Sequence, residues 1–277
     1  MSLYKHIAGV YDELFPLNQA CIEALDKLVP AHAINEDNTL GATAATHCGK
    51  SEFVNSAGDH HQRRVLDLGC ATGTLISALE ARGWETLGIE LDPEMVARAH
   101  GNVIQGSLLE ADRLVYLEYA QPNRSNNNST SLDNYYDAVL CLGNTLPHIK
   151  QSEYEAFFTM VSRLLADDGL FIIQTLNYSH PSVKPGFVFP PIAAKNVIFN
   201  RKYEEGKPDG TLTFATDIEI DGRHYHDITT LYPVKPETLD KALKRAGFGS
   251  IRHYAGWDLA TFNQNLDFYS ITLAEKT

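Results

Sequence analysis

The 277-residue chain has no apolar run approaching the roughly 18 residues of a membrane helix, so no membrane span is expected. Its four cysteines, Cys21, Cys48, Cys70 and Cys141, are too few and too scattered for a disulfide framework. No Cys-x-x-Cys pair points to zinc or redox chemistry. Reduced thiols and a cytoplasmic location are the expectation. Basic residues are also scarce: 23 Lys and Arg stand against 35 Asp and Glu, for a formal charge of −12. Wrapping nucleic acid requires many cations against phosphates, and no basic run supplies them, so nucleic acid is not an expected partner. Residues 1–15 carry Lys5, Asp12 and Glu13 without a continuous apolar stretch, which is unlike a secretory signal.

What is present is an alternation of strands and helices. Residues 3–29 read as two amphipathic helical segments broken near Phe15-Pro16, and 31–62 as a polar loop excursion. Strands are expected at 64–68, 86–90, 102–105, 136–142 and 170–176, with helices at 74–82 and 152–165 between them. Asp92-Pro93-Glu94 has the form of a helix start: N-cap, proline at the first helical position, acid in the first turn. The helix at 152–165 is expected to close at Asp168-Gly169. The Asn- and Ser-rich stretch 121–134 reads as a surface insertion. β-type runs at 197–203, 211–220 and 225–232, divided by glycine turns, form an antiparallel meander. A helix at 236–246 and strands at 250–254 and 267–274 follow.

Several patterns lead nowhere. Gly49-Lys50-Ser51 has the tail of a phosphate loop without its first glycine or a preceding strand. His60 and His61, near His47 and Cys48, fit no common zinc spacing, and His224 with His226 lack a third ligand, so no metal is expected. The prolines of Phe187–Pro191 suggest a loop over a pocket mouth.

Val65-Leu-Asp-Leu-Gly-Cys-Ala-Thr-Gly73 couples a buried strand to a glycine turn and a helix N-terminus, an arrangement that presents backbone N–H groups to a ligand. The dinucleotide spacing of three glycines fails at Ala71 and Thr74. The string Asp-x-Gly-x-x-x-Gly instead resembles motif I of the class I S-adenosylmethionine-dependent methyltransferases, which commonly place glycine where this chain has Ala71. The 136–148 stretch, YDAVLCLGNTLPH, is similar to the region closing the fourth strand in glycine N-methyltransferase and its bacterial relatives. Asn177-Tyr178 and residues 7–12 extend that likeness.

The resemblance implies an α/β fold with a doubly wound, seven-stranded, mostly parallel Rossmann-like sheet. An antiparallel meander follows the fifth strand, and the N-terminal helices form a lid. One domain is expected over 1–277: helices and loop to 62, cofactor core 63–176, substrate-side meander 177–235, and C-terminal helix and strands 236–277. The implied cofactor is S-adenosyl-L-methionine. Its methionine part would pack on Gly69, Cys70 and Gly73, with Asp67 orienting the turn and the cofactor amino group. Glu90 would take the ribose hydroxyls beside Leu91, and Ser107 and Leu108 the adenine. Tyr11 on the lid, with Leu142 and Gly143, would complete the site. Asn144, His148 and Tyr178 are the candidate catalytic residues, and Asn177 a possible substrate contact. A small-molecule acceptor, methylated on an amine nitrogen, is expected. The alternatives are an O- or C-methyltransferase and a non-catalytic binder of the same cofactor. Family members of the glycine group place Arg before the Asn-Tyr pair to hold the substrate carboxylate; here Leu176 stands there. That implies an acceptor larger or less anionic than glycine or sarcosine, with Leu176 in an apolar wall and Arg201 and Arg223 as the nearest replacement cations.

Overall fold

The computed structural model describes residues 4–29, 62–120, 132–204 and 207–277. The expected loop excursion at 31–62, except Gln62, the His47, Cys48, His60, His61 group, the Gly49-Lys50-Ser51 string and most of the 121–134 insertion lie outside these residues.

The main sheet contains β1 (Arg64–Leu68), β2 (Glu85–Glu90), β3 (Val103–Gln105), β4 (Tyr136–Cys141) and β5 (Leu165–Leu176), all parallel to their neighbours. β10 (Phe248–Tyr254) and β11 (Tyr269–Lys276) close one side antiparallel, giving the order β10-β11-β5-β4-β1-β2-β3. Both faces of a parallel sheet are covered, so its strands read as continuous apolar runs. Alternate residues serve the two faces: Leu66, Leu68, Val139 and Cys141 enter one buried cluster, Val65, Ala138 and Leu140 the other. The first cluster is filled by α7 (Tyr154–Leu164), whose Phe157, Phe158 and Val161 recur at helical spacing. The second is covered by α3 (Gln19–Leu28) through Cys21, Ile22 and Leu25.

The meander is a separate four-stranded sheet, β6 (Ile192–Ala194), β7 (Val197–Tyr203), β8 (Leu212–Ile220) and β9 (Arg223–Leu231), antiparallel throughout. The N-terminal helices α1 (Tyr4–Ile7) and α2 (Tyr11–Leu14) lie against it: Ile7, Ala8 and Leu14 share a cluster with Val197, Phe199 and Ile218, and His6 stacks on Tyr225 at 4.2 Å. The remaining helices are α4 (Thr74–Glu80), α5 (Pro93–Val96), α6 (Ala111–Tyr119) and α8 (Pro236–Arg245).

Two expectations need correction, and one reading of a strand face holds. The helix at 152–165 does not run to Asp168-Gly169; β5 already begins at Leu165 and carries that pair as a bulge, where pairing jumps from Tyr136↔Leu165 to Ala138↔Leu170 and Asp168 has φ +62°. A turn dipeptide inside a strand marks a bulge as readily as a loop. Phe187–Pro191 does not cover a pocket mouth. Its backbone pairs with β7 (Phe189 N–H to the Arg201 carbonyl, 2.9 Å), and Phe187 and Phe189 pack with Tyr203 and Phe268. The imidazoles of His224 and His226 face Glu219 and Asp217 across the β8–β9 ladder, a solvated strand face.

Candidate active site

A cavity of about 700 Å³ opens at the carboxyl ends of β1, β2 and β4. This is where a doubly wound sheet binds ligands, because strand order reverses between β1 and β4 and leaves a crevice. The volume lies within the roughly 300–1,000 Å³ of small-molecule sites.

Its floor is the turn after β1. Gly69 has φ +86°, and a Cβ there would lie 2.6 Å from Thr145 Cγ2. Gly73 caps α4 in the left-handed region, where a Cβ would meet the His100 carbonyl at 2.4 Å. Ala71 also has a positive φ, +52°, so the expected glycine position is indeed one that an L side chain enters under strain. Asp67, one residue before the end of β1, is 4% exposed and faces the cavity. Its Oδ1 has no hydrogen-bond partner. Burial, reinforced by the charge of Glu90, raises its carboxyl to about 7.

Glu90 ends β2. Its Oε2 accepts the Ala71 N–H at 3.0 Å and its Oε1 accepts the Asp92 N–H at 2.8 Å, so the carboxylate ties the two ligand-facing turns together. Burial raises its pKa while these backbone bonds pull it back. Asp92 caps α5 through the N–H groups of Glu94 and Met95, as its position suggested. Leu91 is 68% exposed along the rim. Ser107 Oγ accepts from Leu109 N–H at 3.3 Å, the role of a plain cap, and both Ser107 and Leu108 line the cavity.

The other wall is the turn after β4. Leu142, Gly143 and His148 line the cavity. Gly143 and Asn144 adopt φ +63° and +66° in succession, and the pair is clamped by Gln174, whose side-chain Oε1 accepts the Gly143 N–H and whose carbonyl accepts the Asn144 N–H. His148 sits in a concave wall: its surface is open to the cavity, yet surrounding protein desolvates the ring and lowers its pKa. Tyr11 reaches the cavity from the N-terminal helices, followed by Phe15, Pro16, Leu17 and Asn18. Asp12 holds this segment down, accepting from the Thr72 hydroxyl and facing His100 Nε2 at 3.3 Å.

Eleven expected residues therefore meet at one cavity, and Gly73, Asn144 and Tyr178 do not line it. Asn144 Oδ1 accepts the Leu176 N–H at 3.0 Å, and its amide contacts the Tyr178 hydroxyl at 3.2 Å. Tyr178 and Leu176 are buried with Val183, Phe189 and Tyr203, so Leu176 walls an aromatic core and not the cavity. Asn177 is not a substrate contact either: its amide donates to the carbonyls of Gln264 and Asp267 at 2.8 Å each, anchoring the β10–β11 connection. Gln174, Thr229 and Trp257 line the cavity and were not foreseen. Gln174 had a signal, a lone amide interrupting an apolar strand. Thr229 and Trp257 arrive from segments distant in sequence and leave none. Among the described residues no group of three His, Cys, Asp or Glu is placed to hold a metal, and no helix is long and apolar enough to cross a membrane.

A family profile described as a methyltransferase domain matches residues 49–253. Glycine/sarcosine N-methyltransferase of Aphanothece halophytica is 25% identical over 230 residues, covering 81% of this chain and 80% of that protein. Among solved structures, the CcbJ methyltransferase of Streptomyces caelestis superposes with a TM-score of 0.68 at 19% identity, covering 100% and 98% of the two chains. An S-adenosylmethionine-dependent methyltransferase from Clostridium acetobutylicum superposes at 0.66 with 14% identity, covering 99% of each. The chain belongs to the methyltransferase domain family and has the class I, S-adenosylmethionine-dependent fold.

Proposed function

We propose that this protein binds S-adenosylmethionine in the 700 Å³ cavity and methylates the amine nitrogen of a small molecule. The observation that carries the reading is Asp67: a buried carboxylate with an unpartnered Oδ1 facing a cavity is costly unless a cationic ligand group pairs with it. The donor set fits the cofactor. Asp67 would hold its ammonium and Glu90, with a lone pair left on each oxygen, its ribose hydroxyls. Leu91 and Leu108 would flank the adenine, and Gly69 leaves room for the backbone to approach. When bound, the cofactor supplies an electrophilic methyl group on a sulfonium.

The chain's own task is alignment, since an in-line displacement gains most from reactants held about 3 Å apart. Gln174 and Asn144 fix the turn after β4 from two sides, and Tyr178 braces Asn144. His148 lines the cavity, where desolvation biases its ring toward the neutral form, and is the candidate to accept the proton that an acceptor ammonium must lose. The N-terminal segment from Tyr11 to Asn18 screens the cavity from water. The N-methyltransferase names of the sequence relatives support nitrogen as the acceptor atom.

The test has two stages. S-adenosylhomocysteine at 100 times its dissociation constant is expected to stabilise the fold by about 2.7 kcal/mol, with NAD and NADP giving no shift. Labelled S-adenosylmethionine with a metabolite extract is then expected to yield an N-methyl product. A thermal shift with NAD alone, or label recovered only on oxygen or carbon, overturns the corresponding stage.

A further inference from the structure

Resting on the reading above, we infer that the acceptor is an amine without a carboxylate or phosphate, recognised by neutral groups and an apolar wall. The charges around the cavity carry the argument. Three carboxylates line it, Asp67, Glu90 and Asp92, and among the described residues no Lys or Arg does. His148 adds no positive charge, because its wall disfavours the imidazolium. Asp67 and Glu90 are already committed to the cofactor, and among the described lining residues no Lys or Arg remains to offset the lost hydration of an acceptor's own anion.

The two cations that the sequence offered as replacements, Arg201 and Arg223, do not line the cavity. Arg201 lies over the rings of Phe189 and Phe199, 5.1 and 5.5 Å from their centroids, and donates to the Pro190 carbonyl. Arg223 is exposed at the start of β9, six residues before the cavity-lining Thr229. Beyond the carboxylates the cavity offers neutral hydrogen-bonding groups, Gln174, Thr229 and Asn18 among them, and apolar surface that includes Phe15, Leu17 and Trp257. An aromatic face accepts a cationic amine as readily as a hydrocarbon body. The sequence relatives named for glycine and sarcosine therefore differ from this chain in the charge their acceptor carries.

The experiment compares amines with their α-carboxylated counterparts: tryptamine with tryptophan, phenethylamine with phenylalanine, and methylamine with glycine. Binding is measured by calorimetry on the full chain saturated with S-adenosylhomocysteine. The amine of at least one pair is expected to bind, and at least 30-fold tighter than its partner. Leu17→Arg, at a 40%-exposed position on the cavity rim, and Thr229→Arg on the opposite wall supply the missing cation. Each is expected to narrow the preference by at least tenfold, and Leu17→Arg does so without touching the core. A carboxylated partner binding as tightly as its amine, or no binding by any amine up to millimolar concentration, overturns the inference. Either result leaves the proposed function standing as long as S-adenosylhomocysteine binds; failure to bind S-adenosylhomocysteine is the separate result that overturns that function.

Discussion

Asp67 occupies a position where the alternation of β1 calls for another aliphatic side chain facing Cys21. Its ordinary pKa is 3.8 and its folded value is about 7, a difference worth about 4 kcal/mol. Between those pH values the folded chain holds a proton that the unfolded chain has released. The ligand-free protein therefore loses stability as pH rises from about 4 to about 7. Melting temperature is expected to fall between pH 5.5 and 8 and to flatten in Asp67→Asn. Saturating S-adenosylhomocysteine, whose ammonium needs the ionised form, is expected to bind more tightly at pH 8 than at pH 6 in the wild type only; a pH-independent affinity would remove Asp67 from the ammonium site. Ala71 is a smaller strain of a different origin. A left-handed alanine costs roughly 1–2 kcal/mol, and glycine's greater unfolded freedom returns about half of that. Ala71→Gly is expected to raise the melting temperature by about 2 °C in scanning calorimetry.

At the scale of elements, the turn after β4 shows which features of a site can be read from sequence and which cannot. Gly143 and Asn144 are residue types that accept positive φ, so the backbone of this turn leaves a trace in the sequence. The direction of the Asn144 side chain had no such signal, since it depends on where β5 places the Leu176 N–H and Tyr178. The side chain bridges two strand ends, so Asn144→Ala takes the side-chain acceptor from the Leu176 N–H and one partner from the Tyr178 hydroxyl, at about 1–3 kcal/mol. Asn144→Ala and Tyr178→Phe are expected to be non-additive in a denaturation cycle, with a coupling of at least 0.5 kcal/mol. Additive losses would show that the two side chains act apart. β1 and the cap of α5 were legible for local reasons, an unbroken apolar run and an Asp-Pro-Glu start. The bulge at Asp168-Gly169 was misread because the same dipeptide ends helices and bends strands, and only the β4 register separates the two.

Over the whole molecule, a doubly wound, mostly parallel sheet was legible from the alternation of strands and helices together with the family likeness of the motif after β1. The far side of the cavity did not, because Thr229 and Trp257 come from the second sheet and the β10–β11 connection, and no local pattern records that they converge. The ring of carboxylates at the strand ends has a consequence in time as well as in specificity. S-adenosylmethionine carries one more positive charge than S-adenosylhomocysteine, and that charge leaves on the acceptor with its released proton. In the proposed site Asp67, Glu90 and Asp92 would thus attract the incoming cofactor more strongly than the spent one. Added salt is expected to weaken S-adenosylmethionine binding with a steeper slope than S-adenosylhomocysteine binding, as calorimetry from 50 to 500 mM salt would register. Equal slopes would show that the carboxylates do not sense the difference. With unequal slopes, methyl transfer itself switches off part of the attraction holding the cofactor, so turnover loosens its own product.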